Sequence, residues 1–338
     1  MEFQFRTSGV FYISISGEKQ ERQYYYRGEF EKLKKIDNKE LTTMKRLTIL
    51  TIIFLLMVFL NLQAGEKQVV DKTFKAKETV TIKTVSGDCV VKKGPAGEIK
   101  VHVEYTYPPD RFKPIFEEEG NTLVLKEEFE KGNNRGNSSW TVTVPETTDI
   151  AFKSASGDFS AAGLKGNMSM KMASGDASVD NIKGDLEVEL ASGDTRIEKS
   201  DGSVNVSAAS GDIKIKDSKG SFKLKCASGD IDASGIVFTG ASEFQGVSGS
   251  LTVVLAGPNS YDLDLHTVSG NIVLDYNGNP VNGYFNFKGQ KGNIDSDIPF
   301  ESKDGSKYNP FIKAYFKKGG DSPEILMKTV SGEIQFKK

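Results

Sequence analysis

Glycine returns every nine residues through the middle of this chain: Gly157, Gly166, Gly175, Gly184, Gly193, Gly202, Gly211, Gly220 and Gly229. Self-similarity at a fixed period marks a chain that stacks one supersecondary unit on the next. Each unit, for example "GDASVDNIK" or "GDLEVELAS", places apolar residues at its third and fifth positions and polar residues between them. That is the period-two pattern of a half-buried strand. Leu186, Val188 and Leu190 face one way, while Glu187 and Glu189 face the other. Units also alternate in kind: every second one adds an apolar seventh residue and ends in Ala-Ser. The full repeat is therefore a pair of units. It predicts an all-β fold, a β-solenoid (β-helix) of right-handed 18-residue coils, each made of two nine-residue strand-turn units. Three hexapeptides per coil would need an aliphatic residue every six positions, and the inward positions do not fall so. Strands would stack about 4.8 Å apart, in two sheets about 10 Å apart.

The triplet Ser-Gly-Asp marks one corner of each coil. A sharp turn needs a residue with φ > 0, which glycine takes without steric cost. Serine and aspartate can hold the turn by hydrogen bonds to nearby backbone. Gly157, Gly175, Gly193, Gly211 and Gly229 are thus expected as structural corners. Stacking also brings Asp158, Asp176, Asp194, Asp212 and Asp230 into one ladder, and carboxylates so close repel unless something lies between them. Calcium, which takes 6–8 oxygen ligands, is the alternative role for this ladder. The nine-residue period is shared with calcium β-rolls, but their GGxGxD signature is absent. The corner is preferred, and no other cofactor is expected.

Outside the regular part, Met44 is followed by Lys45-Arg46, the apolar run Leu47–Leu60 and then Ala64. Residues 44–64 have the layout of a signal peptide, and the run is short for a membrane span, which needs about 20 residues. Contact with a membrane is expected only through an uncleaved signal-anchor. Residues 1–43 are expected to be a spurious upstream extension or a short cytosolic tail. Residues 65–155 form an irregular β region opening the solenoid, 156–275 the regular solenoid, and 276–338 irregular coils with a cap. The "TVSGD" and "ASGD" corners, the strand "WTVTVP", the segment "IDSDIPF" and the terminal "MKTVSGEIQF" together resemble a bacterial adhesin family of unknown function. The resemblance covers most of residues 70–338. It implies an exported β-solenoid and carries over no catalytic residue.

Net charge is −2 with both signs interspersed, which leaves no basic footprint for nucleic acid. Two cysteines, Cys89 and Cys226, cannot build a disulfide framework and occupy inward positions. With only two histidines, a His/Cys metal cluster is unavailable. The elbow G-x-S-x-G does not occur. Glu187 and Glu189 are a carboxylate pair such as a glycan-active β-helix enzyme uses, but no aromatic platform adjoins them. Lys171 should pair with Glu189, and Glu198 with Lys216, across neighbouring strands. Aromatics gather at Tyr105, Tyr107, Phe112 and Phe116 and again at Tyr308, Phe311, Tyr315 and Phe316. They are expected to cap the open sheet ends, with the first group as a candidate partner loop. These features favour a non-enzymatic scaffold or adhesin-like binding module, exported to periplasm, cell surface or medium, with a protein or glycan as partner. The alternatives are a calcium-stabilised coil and a glycan-active enzyme.

Overall fold

In a computed structural model of the chain, the described residues are 2–6, 10–15, 22–26, 67–131, 135–290, 293–305 and 311–338. The expected signal peptide at 44–64 lies outside them. The chain divides into two units, residues 1–64 and 65–338. In the first, strands Glu2–Arg6, Val10–Ile15 and Arg22–Tyr26 pair as an antiparallel sheet. The second is all-β, and among the described residues no helix is present.

The second unit is built in tiers, each with one strand on a long face and one on a short face. In one tier these are Met168–Ser174 and Ala177–Asp180; in the next, Leu186–Ser192 and Thr195–Glu198. Pairing is parallel, and the register advances by one full repeat per tier: Met168 lies opposite Leu186, and Leu186 opposite Val204. The short face keeps the same offset, with Val179 opposite Ile197 and Ile197 opposite Ile215. Period-two patterning does what it must in such a stack. Met168, Met170, Met172, Leu186, Val188 and Leu190 are buried, while Glu187 and Glu189 are exposed. The core lies between the faces, where Phe152 and Phe159 meet at 4.6 Å between ring centroids.

Both ends depart from this order. The tier holding Thr79–Thr84 and Asp88–Lys93 stacks on Asp149–Ser154 and Phe159–Ala162, so Val80 lies opposite Ile150 and Cys89 opposite Phe159. That offset spans several repeats of chain. The intervening segment folds outward as antiparallel strands, Glu98–Tyr105 with Ser138–Val144 and Phe112–Glu119 with Thr122–Phe129. At the other end the last strands of the chain turn back inside. Glu324–Ser331 lies between Leu263–Ser269 and Gly283–Gln290, which sets Leu265 opposite Met327. The antiparallel strand Phe311–Lys318 covers the outside of Gly283–Gln290.

Candidate functional site

The Ser-Gly-Asp corners form a continuous spine. Each glycine has positive φ: 115° at Gly157, 105° at Gly175, 124° at Gly193, 109° at Gly211 and 139° at Gly229. Stacking adds a second demand. A Cβ on Gly193 would lie 2.2 Å from the carbonyl oxygen of Gly175 in the tier before. No side chain fits that gap, so each corner needs glycine on two independent grounds.

The aspartates do form a ladder, held by the backbone. The Asp176 N–H donates to Asp158 Oδ1 at 2.8 Å, Asp194 N–H to Asp176 Oδ1 at 2.8 Å, and Asp212 N–H to Asp194 Oδ1 at 2.9 Å. Asp230 N–H continues to Asp212 Oδ1 at 3.0 Å, and Ser250 N–H to Asp230 Oδ1 at 2.7 Å. Below, Asp158 N–H reaches Asp88 Oδ1 at 2.9 Å. The bond from Asp230 N–H, helped by Lys214, holds the Asp212 carboxyl below its ordinary range. One oxygen of each carboxylate is thus committed to the next tier. Among the described residues, no group of three or more His, Cys, Asp or Glu side chains converges as a metal-ligand set.

A second ladder, which the sequence reading did not single out, runs along the corner before each long-face strand. Asn167 N–H donates to Asp149 Oδ1 at 2.7 Å, Asp185 N–H to Asn167 Oδ1 at 3.0 Å, and Ser203 N–H to Asp185 Oδ1 at 3.1 Å. A third corner takes the left-handed conformation at Gly163, Asn181, Lys199, Asp217 and Gly235. Its regular spacing was available in the sequence, but only Asn and Asp hint at the conformation.

The aromatic residues pack inward. Tyr105, Tyr107 and Phe112 are buried, and Phe116 packs partly against the same core. Phe112 contacts Tyr107 at 5.0 Å and Phe129 at 5.1 Å, and Phe116 contacts Trp140 at 6.0 Å. As a partner loop, Tyr105, Tyr107 and Phe112 have no exposed ring to offer. At the other end Phe316 is buried on Phe285, with 4.5 Å between ring centroids, while Tyr315 is half-buried and Phe311 exposed. Tyr308 lies outside the described residues.

Glu127 went unremarked in the sequence and gathers four donors. The Val85 N–H reaches its Oε2 at 2.6 Å and the Ser86 N–H at 3.3 Å; Trp140 Nε1–H reaches Oε1 at 3.0 Å, and the Ser138 hydroxyl donates to Oε1 as well. In the following tier the Ser156 N–H is satisfied by the Val85 carbonyl at 2.8 Å. The first tier has no such predecessor, and Glu127 from the covering hairpin takes its place.

The carboxylate pair is occupied. Glu189 Oε1 holds Lys171 Nζ at 2.7 Å, as the stacking predicts, and Glu187 Oε2 accepts from the Ser169 hydroxyl at 3.2 Å. Glu198 neighbours Lys216 across the strands, as the stacking predicts, and its hydrogen bond comes from Arg196 Nε at 2.8 Å, a residue two positions away on its own strand. Cys89 and Cys226 are free and buried. Burial pushes both thiols up, Cys89 helped by Glu127 and Asp88, which disfavours the reactive thiolate.

Parallel strands stacked on hydrogen-bonded corners define an all-β class whose repeating polar residues serve its own backbone. Within that class the chain belongs to the Toastrack DUF4097 family, whose model matches residues 77–306. This is the kind of family, one of unknown function, to which the corner motifs pointed. No curated protein matches the chain. Among solved structures it is similar to a protein provisionally termed lipid-binding from Parabacteroides distasonis ATCC 8503, at 18% identity and TM-score 0.46, over 81% of this chain and 98% of that one. A protein provisionally termed an adhesin from the same strain shares 14% identity at TM-score 0.46, over 80% and 97%. Another so termed, from Bacteroides fragilis NCTC 9343, shares 16% at TM-score 0.40, over 81% and 98%.

Proposed function

We propose that the protein is an exported, non-enzymatic β-solenoid of right-handed 18-residue coils, acting as an extended scaffold or adhesin-like binding module at the bacterial envelope or cell surface. One observation carries this reading: the repeated corner aspartates serve the backbone of the next tier. Each Asp Oδ1 accepts from the backbone one tier on, and the Glu187/Glu189 pair is held by Ser169 and Lys171. What remains for function is surface: flat, mixed-polar sheets presented on a rigid frame. Its partner is then a protein or glycan bound over several strands.

The test has two arms. Protease added to intact cells should remove the protein if it sits at the surface, and osmotic release should free it if it sits in the periplasm; retention in the cytosolic fraction sinks the reading. Turnover of any member of a polysaccharide panel, lost in Glu187→Gln, would make the protein a glycan-active enzyme instead.

A further inference from the structure

We propose that a row of cations crossing the outside of the long face is a track for a linear acidic polysaccharide. The inference rests on the binding-module reading and names its ligand class.

Cross-strand register builds the row. At one end Lys83 lies opposite Lys153, and Lys153 opposite Lys171. At the other, His266 lies opposite Lys328, Lys328 opposite Lys288, and Lys288 opposite Lys313. Glu189, Ser207, Lys225 and Gln245 join the two ends. Glu189 is the acid in that stretch, and Lys171 neutralises it at 2.7 Å. Like charges placed directly opposite on neighbouring strands are destabilising. Lys83 and Lys153, and likewise Lys328, Lys288 and Lys313, stand in that relation with no ion pair within 4.0 Å among the described residues. Asp304 lies opposite Lys313 on its far side and ends the row. Acids stand one outward row away: Glu187 near Lys171, Glu243 paired with Lys225 at 3.9 Å, and Asp264 on the strand of His266. An anionic ligand would relieve the repulsion among the lysines at both ends.

An apolar shoulder runs beside the row, next to the Ser-Gly corners. Ala173, Ala191, Ala209 and Ala227 lead into Val247 and Val268, which are 54% and 42% exposed. The shoulder and the stretch of the row from Lys171 to His266 bound a shallow trough of about 1170 Å³, and the end lysines Lys153 and Lys328 continue the row beyond it. From the strand Thr79–Thr84 to the strand Phe311–Lys318 the track runs roughly 50 Å at ordinary strand spacing.

The form of the track selects the occupant. Carboxylates repeating along a chain meet the cations, and the apolar faces of sugar rings meet the shoulder. A peptide strand would need free backbone donors, and mid-sheet strands have none to offer. A bilayer would need large apolar anchors, and alanines are too small to insert. A single-stranded nucleic acid would need aromatic platforms for its bases, and no Phe, Tyr or Trp lines the trough.

The probe is polygalacturonate, with neutral dextran beside it. The full chain should bind polygalacturonate at low ionic strength, release it as salt rises, and leave dextran unbound. The triple variant Lys288→Gln, Lys313→Gln, Lys328→Gln should bind roughly tenfold or more weakly, because three charge contacts are lost. Its melting temperature should not fall. A matched variant on the short face, Lys92→Gln, Lys214→Gln, Lys216→Gln, should bind as the wild type does. Equal loss in both variants would overturn the track in favour of unspecific charge. Capture by phosphatidylglycerol vesicles with the same triple-variant dependence would overturn it in favour of a membrane. Absence of polygalacturonate binding in a protein that protease removes from intact cells would sink the track and leave the surface-module reading standing.

Discussion

The middle of the stack and its two ends solve the same problem by different means. Between residues 168 and 216 each tier receives its neighbour from the next repeat of the chain, so a corner placed once is satisfied by repeating it. The ends have no further tier. The first closes on Glu127 and an antiparallel hairpin, and the last on a strand from near the end of the chain that returns to lie between two earlier ones. Repetition supplies hydrogen-bond partners in the middle, whereas the ends need single, unrepeated residues. A defect in the middle should therefore break a contact that recurs, and a defect at an end one that nothing replaces.

The strongest way to break the middle is Gly193→Ala. Alanine there must hold φ near 124° and place Cβ against the Gly175 carbonyl oxygen. We expect a loss of about 3 kcal/mol or more in urea unfolding. Gly97→Ala, where a Cβ meets nothing within 4 Å, should stay within about 0.5 kcal/mol of wild type. If the two variants unfold alike, stacking does not dictate the corner.

At the first tier, Glu127→Ala should cost about 2–3 kcal/mol, since the buried Trp140 Nε1–H and the Ser86 N–H both lose a charged acceptor. Hydrogen exchange should show the opening confined to residues near Val85, Ser86 and Trp140. Uniform loss of protection along the stack would mean that ends and middle unfold as one.

These two variants show how far the sequence alone could be read. The middle was legible because neighbours in space are neighbours in the repeat: Leu186, Val204 and Phe222 announce their column by spacing alone. The ends were half legible. Ser86-Gly87-Asp88 and Ser331-Gly332 stood out as corners, but nothing local says which tier they join. That choice depends on remote chain, as the pairings of Cys89 with Phe159 and of Leu265 with Met327 show. Glu127 was illegible for a related reason. It stands in for a missing tier, and no pattern marks an absence. Tyr105, Tyr107 and Phe112 were visible as a cluster, but composition does not distinguish buried rings from exposed ones.

The aspartate ladder sharpens the comparison on a finer scale. Asn271 occupies the same column and does the same work, its Oδ1 accepting from Glu333 N–H at 2.9 Å. The corner thus needs an acceptor oxygen rather than a charge. Asp194→Asn should stay within about 0.5 kcal/mol of wild type, while Asp194→Ala should cost about 1–1.5 kcal/mol. The calcium alternative makes the opposite forecast. Millimolar calcium would raise the melting temperature of wild type but not of Asp176→Asn, Asp194→Asn. We expect calcium and EDTA to give the same melting curve for both.

A smaller gain should come from the third corner. Lys199 has φ of 51° where its column neighbours include Gly163, Asn181 and Gly235. Its ion pair with Asp180 is 3.6 Å long and exposed, worth little. Lys199→Gly should raise stability by about 0.5–1 kcal/mol, read from the urea midpoint. A loss would mean that the lysine stem covers apolar surface.

The smallest effect should be one of pH, at the join between the first two tiers. Glu146 bridges Lys93 of one and Lys165 of the other, the latter at 2.9 Å, and these two ammonium groups pull its carboxyl down to about 2. A carboxyl held lower in the folded state than in the unfolded one binds fewer protons when folded. Its contribution is therefore present above its ordinary value of 4.5 and fades as pH falls toward 2. The side chain lies at the surface, so salt should screen the effect. Between pH 4.5 and 2, Glu146→Gln should lose stability less steeply than wild type, with the difference shrinking as salt is added. Parallel acid curves at low salt would show that the Glu146 ion pairs add nothing to the strand pairing and core packing that join those tiers.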